Sequence, residues 1–181
     1  GGFYKDIVVG YRNVNDLKLA LKKHGAIFMK TEEVMDLPDQ VDQQICVNQN
    51  PYYKMFKKDL YVKIDDVELV GDTSLTKILY ERQLCGAFSK EKMQAFKDLI
   101  DSTNDRLVVF YNFNNELFQL KEIVGNSRPI STINGQTKDL SAYEESDNSI
   151  TFVQYQAGAM GLNLQKANKI IYFTLPLGKG S

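Results

Sequence analysis

Apolar positions change rhythm along the chain, and the changes divide it into three stretches. The first holds an apolar run, DIVVG, and then VNDLKLALKKHG, where Leu17 and Leu21 share a helical face, Asn13 or Asn15 can cap, and Gly25 stops the helix. In EEVMDLPDQ, Pro38 pushes Leu37 towards extended geometry, so residues 1–40 are expected to form a connector into a new unit.

Residues 41–88 are expected to form a helical platform. A short β-like run, QQICV, leads through Asn50-Pro51 into YYKMFKKDLYVKI, and Asp72 is expected to cap a second helix over TSLTKILYERQLCGAF. Between them VKIDDVELV alternates apolar and polar residues as a hairpin does, with Asp65 and Asp66 as a solvated turn.

From Ser89 onward helix and strand patterns alternate. KEKMQAFKDLIDS puts Met93, Phe96, Leu99 and Ile100 on one side of a helix; RLVVFYNF is β-rich; NNELFQLKEIV is helical again. PISTING, SITFVQY and NKIIYFTLP read as further strands, separated by KDLSAYEES as a short helix and by AGAMGLNL as a turn and short helix. Four near-continuous apolar strands separated by helices predict an α/β fold, a parallel sheet flanked by helices on both faces. In such a sheet ligands gather beyond the carboxyl ends of the strands, which here are the loops 112–115, 134–137, 154–161 and 174–179.

Charge alters this picture little. Lys and Arg number 22 against 23 Asp and Glu, so no global basic footprint marks a nucleic-acid binder; backbone N–H groups and short polar side chains can still hold phosphates. Cys46 and Cys85 lie in apolar neighbourhoods without CxxC spacing, and His24 has no second His nearby. Buried thiols in a reducing cytoplasm are therefore expected, and no metal set. No stretch approaches the roughly 20 apolar residues of a membrane span, so a cytoplasmic protein is expected.

The small residues of AGAMG follow a strand directly, so the backbone there can approach a phosphate closely. Tight strand–helix packing explains the same residues equally well. Asn114 can serve as a helix cap, Phe113 as core, and Asn134-Gly135 as a plain turn.

The residues themselves carry a resemblance. Gln154-Tyr155-Gln156-Ala157-Gly158-Ala159-Met160-Gly161-Leu162-Asn163-Leu164 resembles motif V of Swi/Snf-type ATPases of helicase superfamily 2, with Gln156 where the family has Arg and Ala159 where it has Gly. RLVVFYNFNNELFQLKEI resembles motif IV, and ISTINGQTKDLSAYEES resembles the family's strand, His-Gly or Asp-Gly, Ser or Thr, and helix. KTEEVMDLPDQ resembles the bridge between the two lobes, and ILYERQLCGAFSKEKMQAFKDLI resembles the Leu-Arg-Gln-Ile-Cys box and the helix after it. The resemblance implies a RecA-like second lobe over residues 89–181, of bacterial or phage type, with residues 1–40 connecting from a first lobe outside this chain. It implies nucleic-acid contacts, to double-stranded DNA, at Asn112, Phe113, Asn114, Asn134, Gly135, Thr137, Gln154 and Gln156. For nucleotide it implies Gly158, Gly161 and Asn163.

Mechanism is then expected to be shared with other parts of the protein. A Walker A sequence is missing, since Phe173 stands where the first glycine before GKGS belongs, and no DEAH-like carboxylate follows a buried strand. The chain ends at Ser181, before the arginine-bearing motif VI of the family. ATP and Mg²⁺ are thus expected in the complete protein only, with this stretch inactive alone. The alternatives are an ATP-independent nucleic-acid or partner-binding module and a metabolic nucleotide-binding protein, the latter disfavoured because no GxGxxG opens the first strand–helix turn.

Overall fold

The structure, a computed structural model, describes residues 12–27, 41–158 and 161–176. The DIVVG run, the KTEEVMDLPDQ bridge, Ala159, Met160 and the GKGS tail lie outside the described residues. Two compact units divide the chain, Gly1–Gln44 and Ile45–Ser181.

In the first unit, α1 (Val14–Lys23) closes as its sequence predicts: Gly25 takes φ 88°, its N–H bonds Lys22 O at 3.1 Å, and the Ala26 N–H bonds Leu21 O at 3.1 Å. Its start differs from expectation. Asn13 precedes the first turn in left-handed geometry, and its side chain makes no capping bond.

Residues 41–50, which run from the end of the first unit into the second, form no strand, which corrects the β-like reading of QQICV. Val41, Ile45 and Val47 are exposed, and Asn48 is held instead by Glu91, whose carboxylate accepts from its backbone and side-chain amides at 2.8 and 3.2 Å. Asn50 then caps α2 (Pro51–Asp59), with proline in the position where a missing N–H costs nothing. β1 (Tyr61–Ile64) and β2 (Val67–Val70) form the antiparallel hairpin, turning at Asp65 with φ 52°. Thr73, not Asp72, caps α3 (Ser74–Cys85), exchanging bonds with Thr76; Asp72 accepts from the Thr76 hydroxyl at 2.8 Å. Phe56, Val62, Ile64, Leu69 and Leu84 form the apolar centre of this platform.

The remaining elements are α4 (Lys90–Asp101), β3 (Leu107–Tyr111), α5 (Asn114–Val124), β4 (Ile130–Ile133), β5 (Lys138–Asp139), α6 (Ser141–Glu145), β6 (Ile150–Gln154), α7 (Tyr155–Gly158) and β7 (Lys169–Tyr172). They build a five-stranded sheet in the order β5-β4-β6-β3-β7, parallel except for the short β5, which the pattern did not predict. Alternation along the strands sorts the core into two layers. Leu107, Val109, Tyr111, Ile150 and Phe152 face α4 and α5, meeting Met93, Phe96, Ile100, Leu117, Leu120 and Val124. Val108, Ile133 and Val153 face the other way, under Tyr143, Leu162 and Leu164. Both faces are covered, as a parallel sheet requires. Cys46 and Cys85 are free and exposed, which corrects the expectation of buried thiols: Leu84 turns inward without Cys85, and Cys46 lies in a stretch whose apolar residues Ile45 and Val47 are themselves exposed. Among the described residues no helix is long and apolar enough to cross a membrane.

Candidate functional site

Sheet register fixes what can meet at the carboxyl edge. Ile133 lies beside Val153, Val153 beside Phe110, and Phe110 beside Tyr172, so the loops after β4, β6, β3 and β7 leave the sheet at one level. After β3 the chain runs through α5 on one face to reach β4. After neighbouring β6 it runs along the opposite face, where Ala157, Leu162, Leu164 and Ala167 pack, to reach β7. Two adjacent parallel strands whose connections depart on opposite faces leave a crevice between their ends, which is where open α/β sheets take ligands.

Asn112 and Gln154 stand on either side of that divergence. Gln154 Nε2 donates to Asn112 O at 3.0 Å, and Asn112 Nδ2 donates to Thr174 Oγ1 at 3.0 Å and to Leu175 O at 2.6 Å. The expected site residues at these two positions are thus joined, with their amide donors turned onto the protein. Phe113 is half-buried and takes the cap position of α5; Asn114, read as a possible cap, is the first helical residue and is exposed. Glu116 explains this shift of one residue. Its Oε2 accepts from the backbone N–H groups of Asn112 at 3.0 Å and Phe113 at 3.1 Å, so a carboxylate one turn inside does the capping.

The β4 loop is a closed turn. Asn134 Oδ1 accepts from the N–H groups of Gln136 at 2.9 Å and Thr137 at 2.8 Å, leaving Gly135 and Thr137 exposed at its tip. Gly135 has nothing among the described residues within 4 Å of a notional Cβ and takes no left-handed φ, as a plain turn allows. Gln156 is exposed on α7, directly beyond Gln154. Gly158 ends that helix. Gly161 adopts φ 59° with nothing among the described residues within 4 Å of a notional Cβ, and Asn163 is exposed beside it, with Oδ1 accepting from Gln165 N at 3.4 Å. That open, left-handed backbone leaves room for a ligand's close approach.

Of three further residues joined to this site, Glu116 and Arg82 were not singled out from sequence, and Thr174 was marked only as the start of the loop 174–179. Glu116 is completely buried. Thr174, which ends the last strand run, donates to Glu116 Oε2 at 3.0 Å. Arg82 of α3 donates to Leu175 O, the carbonyl that Asn112 also reaches. Asn-Asn-Glu at a helix start announces a capping glutamate, but nothing in the pattern announces its burial. Burial also marks the electrostatics here: it pushes the Tyr155 hydroxyl up to about 12 and lowers Lys92, a shift that the Glu116 charge opposes. Among the described residues no group of three or more His, Cys, Asp or Glu could hold a metal ion.

No family model matches the chain, and no curated protein matches it. Among solved structures it is similar to one described as the C-terminal part of the Fun30 ATPase domain, with 21% identity over 71% of this chain and 52% of that one, at a TM-score of 0.40. The chain therefore spans about half the length of that structure, and a likeness of this degree decides neither its activity nor its ligands.

Proposed function

We propose that this chain contributes the second lobe of an ATP-dependent motor of the Swi/Snf type, gripping the backbone of duplex DNA along the carboxyl edge of its sheet. The observation that carries this reading is the crevice between β3 and β6. The stretches that resemble motifs IV and V, distant in sequence, end adjacent strands there, and their connections part on opposite faces. The likeness rests on residue types, whereas the crevice follows from strand order and connection.

Within this reading the exposed Asn114, Thr137 and Gln156 are the groups that touch phosphate, since Asn112 and Gln154 already spend side-chain donors inside the protein and Asn134 is less exposed, with its Oδ1 turned into its own loop. The nucleotide lies by the open backbone at Gly161 and Asn163. In this reading Mg²⁺ and the water-orienting carboxylate are supplied by the first lobe. Lobe closure on ATP and opening after hydrolysis then drive movement, provided that DNA binds the two states with different affinity.

The test is Gln156→Ala in a protein that also carries the first lobe. Loss of one phosphate-directed hydrogen bond is expected to raise the DNA concentration for half-maximal ATPase stimulation about fivefold. An unchanged value overturns the assignment. DNA binding that is indifferent to ATP and its analogues favours the ATP-independent module instead.

A further inference from the structure

Glu116 does more than capping demands. A glutamate in the third position of an exposed helix can close the first turn while remaining in water, yet this one is 0% exposed. Burying a carboxylate is costly unless hydrogen bonds replace its hydration. Here three do so on one oxygen, from the Asn112 and Phe113 backbones and the Thr174 hydroxyl. The other oxygen, Oε1, finds no hydrogen-bond partner among the described residues. It faces Gly86 at the end of α3, where any side chain would run into the carboxylate.

The groups around it belong to four elements. Asn112 ends β3 and holds Gln154 of β6; Thr174 and Leu175 follow β7; Arg82 and Gly86 belong to the end of α3. A single carboxylate is therefore the common point at which the β3 loop, the exit of β7 and the platform helix meet.

We propose that Glu116 is a positioning residue that sets the shape of the 112–114 turn and locks it to the exit of β7, so that Asn114 and Gln156 are held in a fixed relation at the carboxyl edge. Its consequence for DNA rests on the motor reading above, whereas the positioning itself does not.

Glu116→Gln in the 181-residue chain is the test, since it keeps the shape and removes the charge. Amide hydrogen exchange at Asn112 and Phe113 is expected to quicken about tenfold or more relative to Val109 in the centre of β3. Thr174→Val, which keeps the carboxylate and removes one partner, is expected to quicken the same two amides by a smaller factor. Unchanged rates at both amides in both variants overturn the proposal, and so does an acceleration spread evenly over β3 and β6, which marks mere core stabilisation. Binding of a short DNA duplex by Glu116→Gln separates the two readings. Affinity reduced about tenfold with an unchanged salt slope is expected, because Glu116 itself meets no phosphate. Faster exchange with unaltered affinity leaves the positioning role standing and removes the DNA reading of this turn.

Discussion

At the scale of single residues, the site is governed by side chains that satisfy one another. Gly86 shows how little room is left: a Cβ there would strike Glu116, with Cδ at 3.1 Å and the Thr174 Cγ2 at 3.2 Å. A flexible surface side chain would yield, but this carboxylate is pinned by three hydrogen bonds. Gly86→Ala is therefore expected to cost about 1–3 kcal/mol, as overpacking does, and to shift the urea midpoint without changing the slope of the transition. No loss of stability would mean that the carboxylate moves aside freely. The residues first expected to meet nucleic acid divide on the same ground. Asn112 and Gln154 are amides whose side-chain donors are spent internally, and Asn134 turns its Oδ1 into its own loop, distinctions that residue type alone cannot draw. Asn114, Thr137 and Gln156 remain exposed.

Among the elements, the helices and strands of the sheet were legible because apolar spacing and turn residues agreed, as in the helix from Ser89 and the hairpin about Asp65-Asp66. The misreadings are local. QQICV has the composition of a strand but pairs with no strand among the described residues, and β5 is two residues long, too short to leave a pattern. Strand order was not legible at all, since near-uniform apolar strands carry no record of which lies beside which. Another residue missed from sequence works at the opposite edge of the sheet. Arg128, just before β4, is buried and donates to the carbonyls of Ile100 at 3.2 Å, Thr103 at 2.9 Å and Asn148 at 2.7 Å, and to that of Asp105. It thereby ties the end of α4 to the approaches of β3 and β6. Arg128→Ala would leave those carbonyls without their partner, and thermal or urea unfolding is expected to show a loss of about 3 kcal/mol or more. A loss within experimental scatter would show that water replaces the guanidinium.

For the whole molecule, whose net charge is −1, the cations that meet phosphate, not the total charge, set how binding responds to salt. An amide that donates to phosphate displaces fewer counterions than a guanidinium does. Gln156→Arg, which installs the residue usual in the Swi/Snf motif, is expected to tighten DNA binding at low salt and to steepen the dependence of log affinity on log salt by about 0.9. Titrations at several salt concentrations measure that slope, and an unaltered slope means that position 156 does not face phosphate. The candidate site was legible as a set of loops, because polar segments after strands mark a carboxyl edge. It was not legible as a network, because Glu116, Thr174 and Arg82 lie in three separate parts of the sequence and meet only once the sheet has formed.

The order β4-β6-β3 also bears on how the chain reaches its native state. β6 follows both of its neighbours in sequence yet lies between them, so β3 and β4 cannot simply pair and await the rest. Until Ile150–Gln154 arrives, each presents an open, apolar edge, and closing the gap requires contacts across tens of residues. Such distant parallel pairings form slowly, whereas the β1–β2 hairpin needs only its two-residue turn. Ribosomal synthesis adds to the delay, because the central strand emerges after both partners. The interval between their appearance and its own is when this chain is most exposed to aggregation.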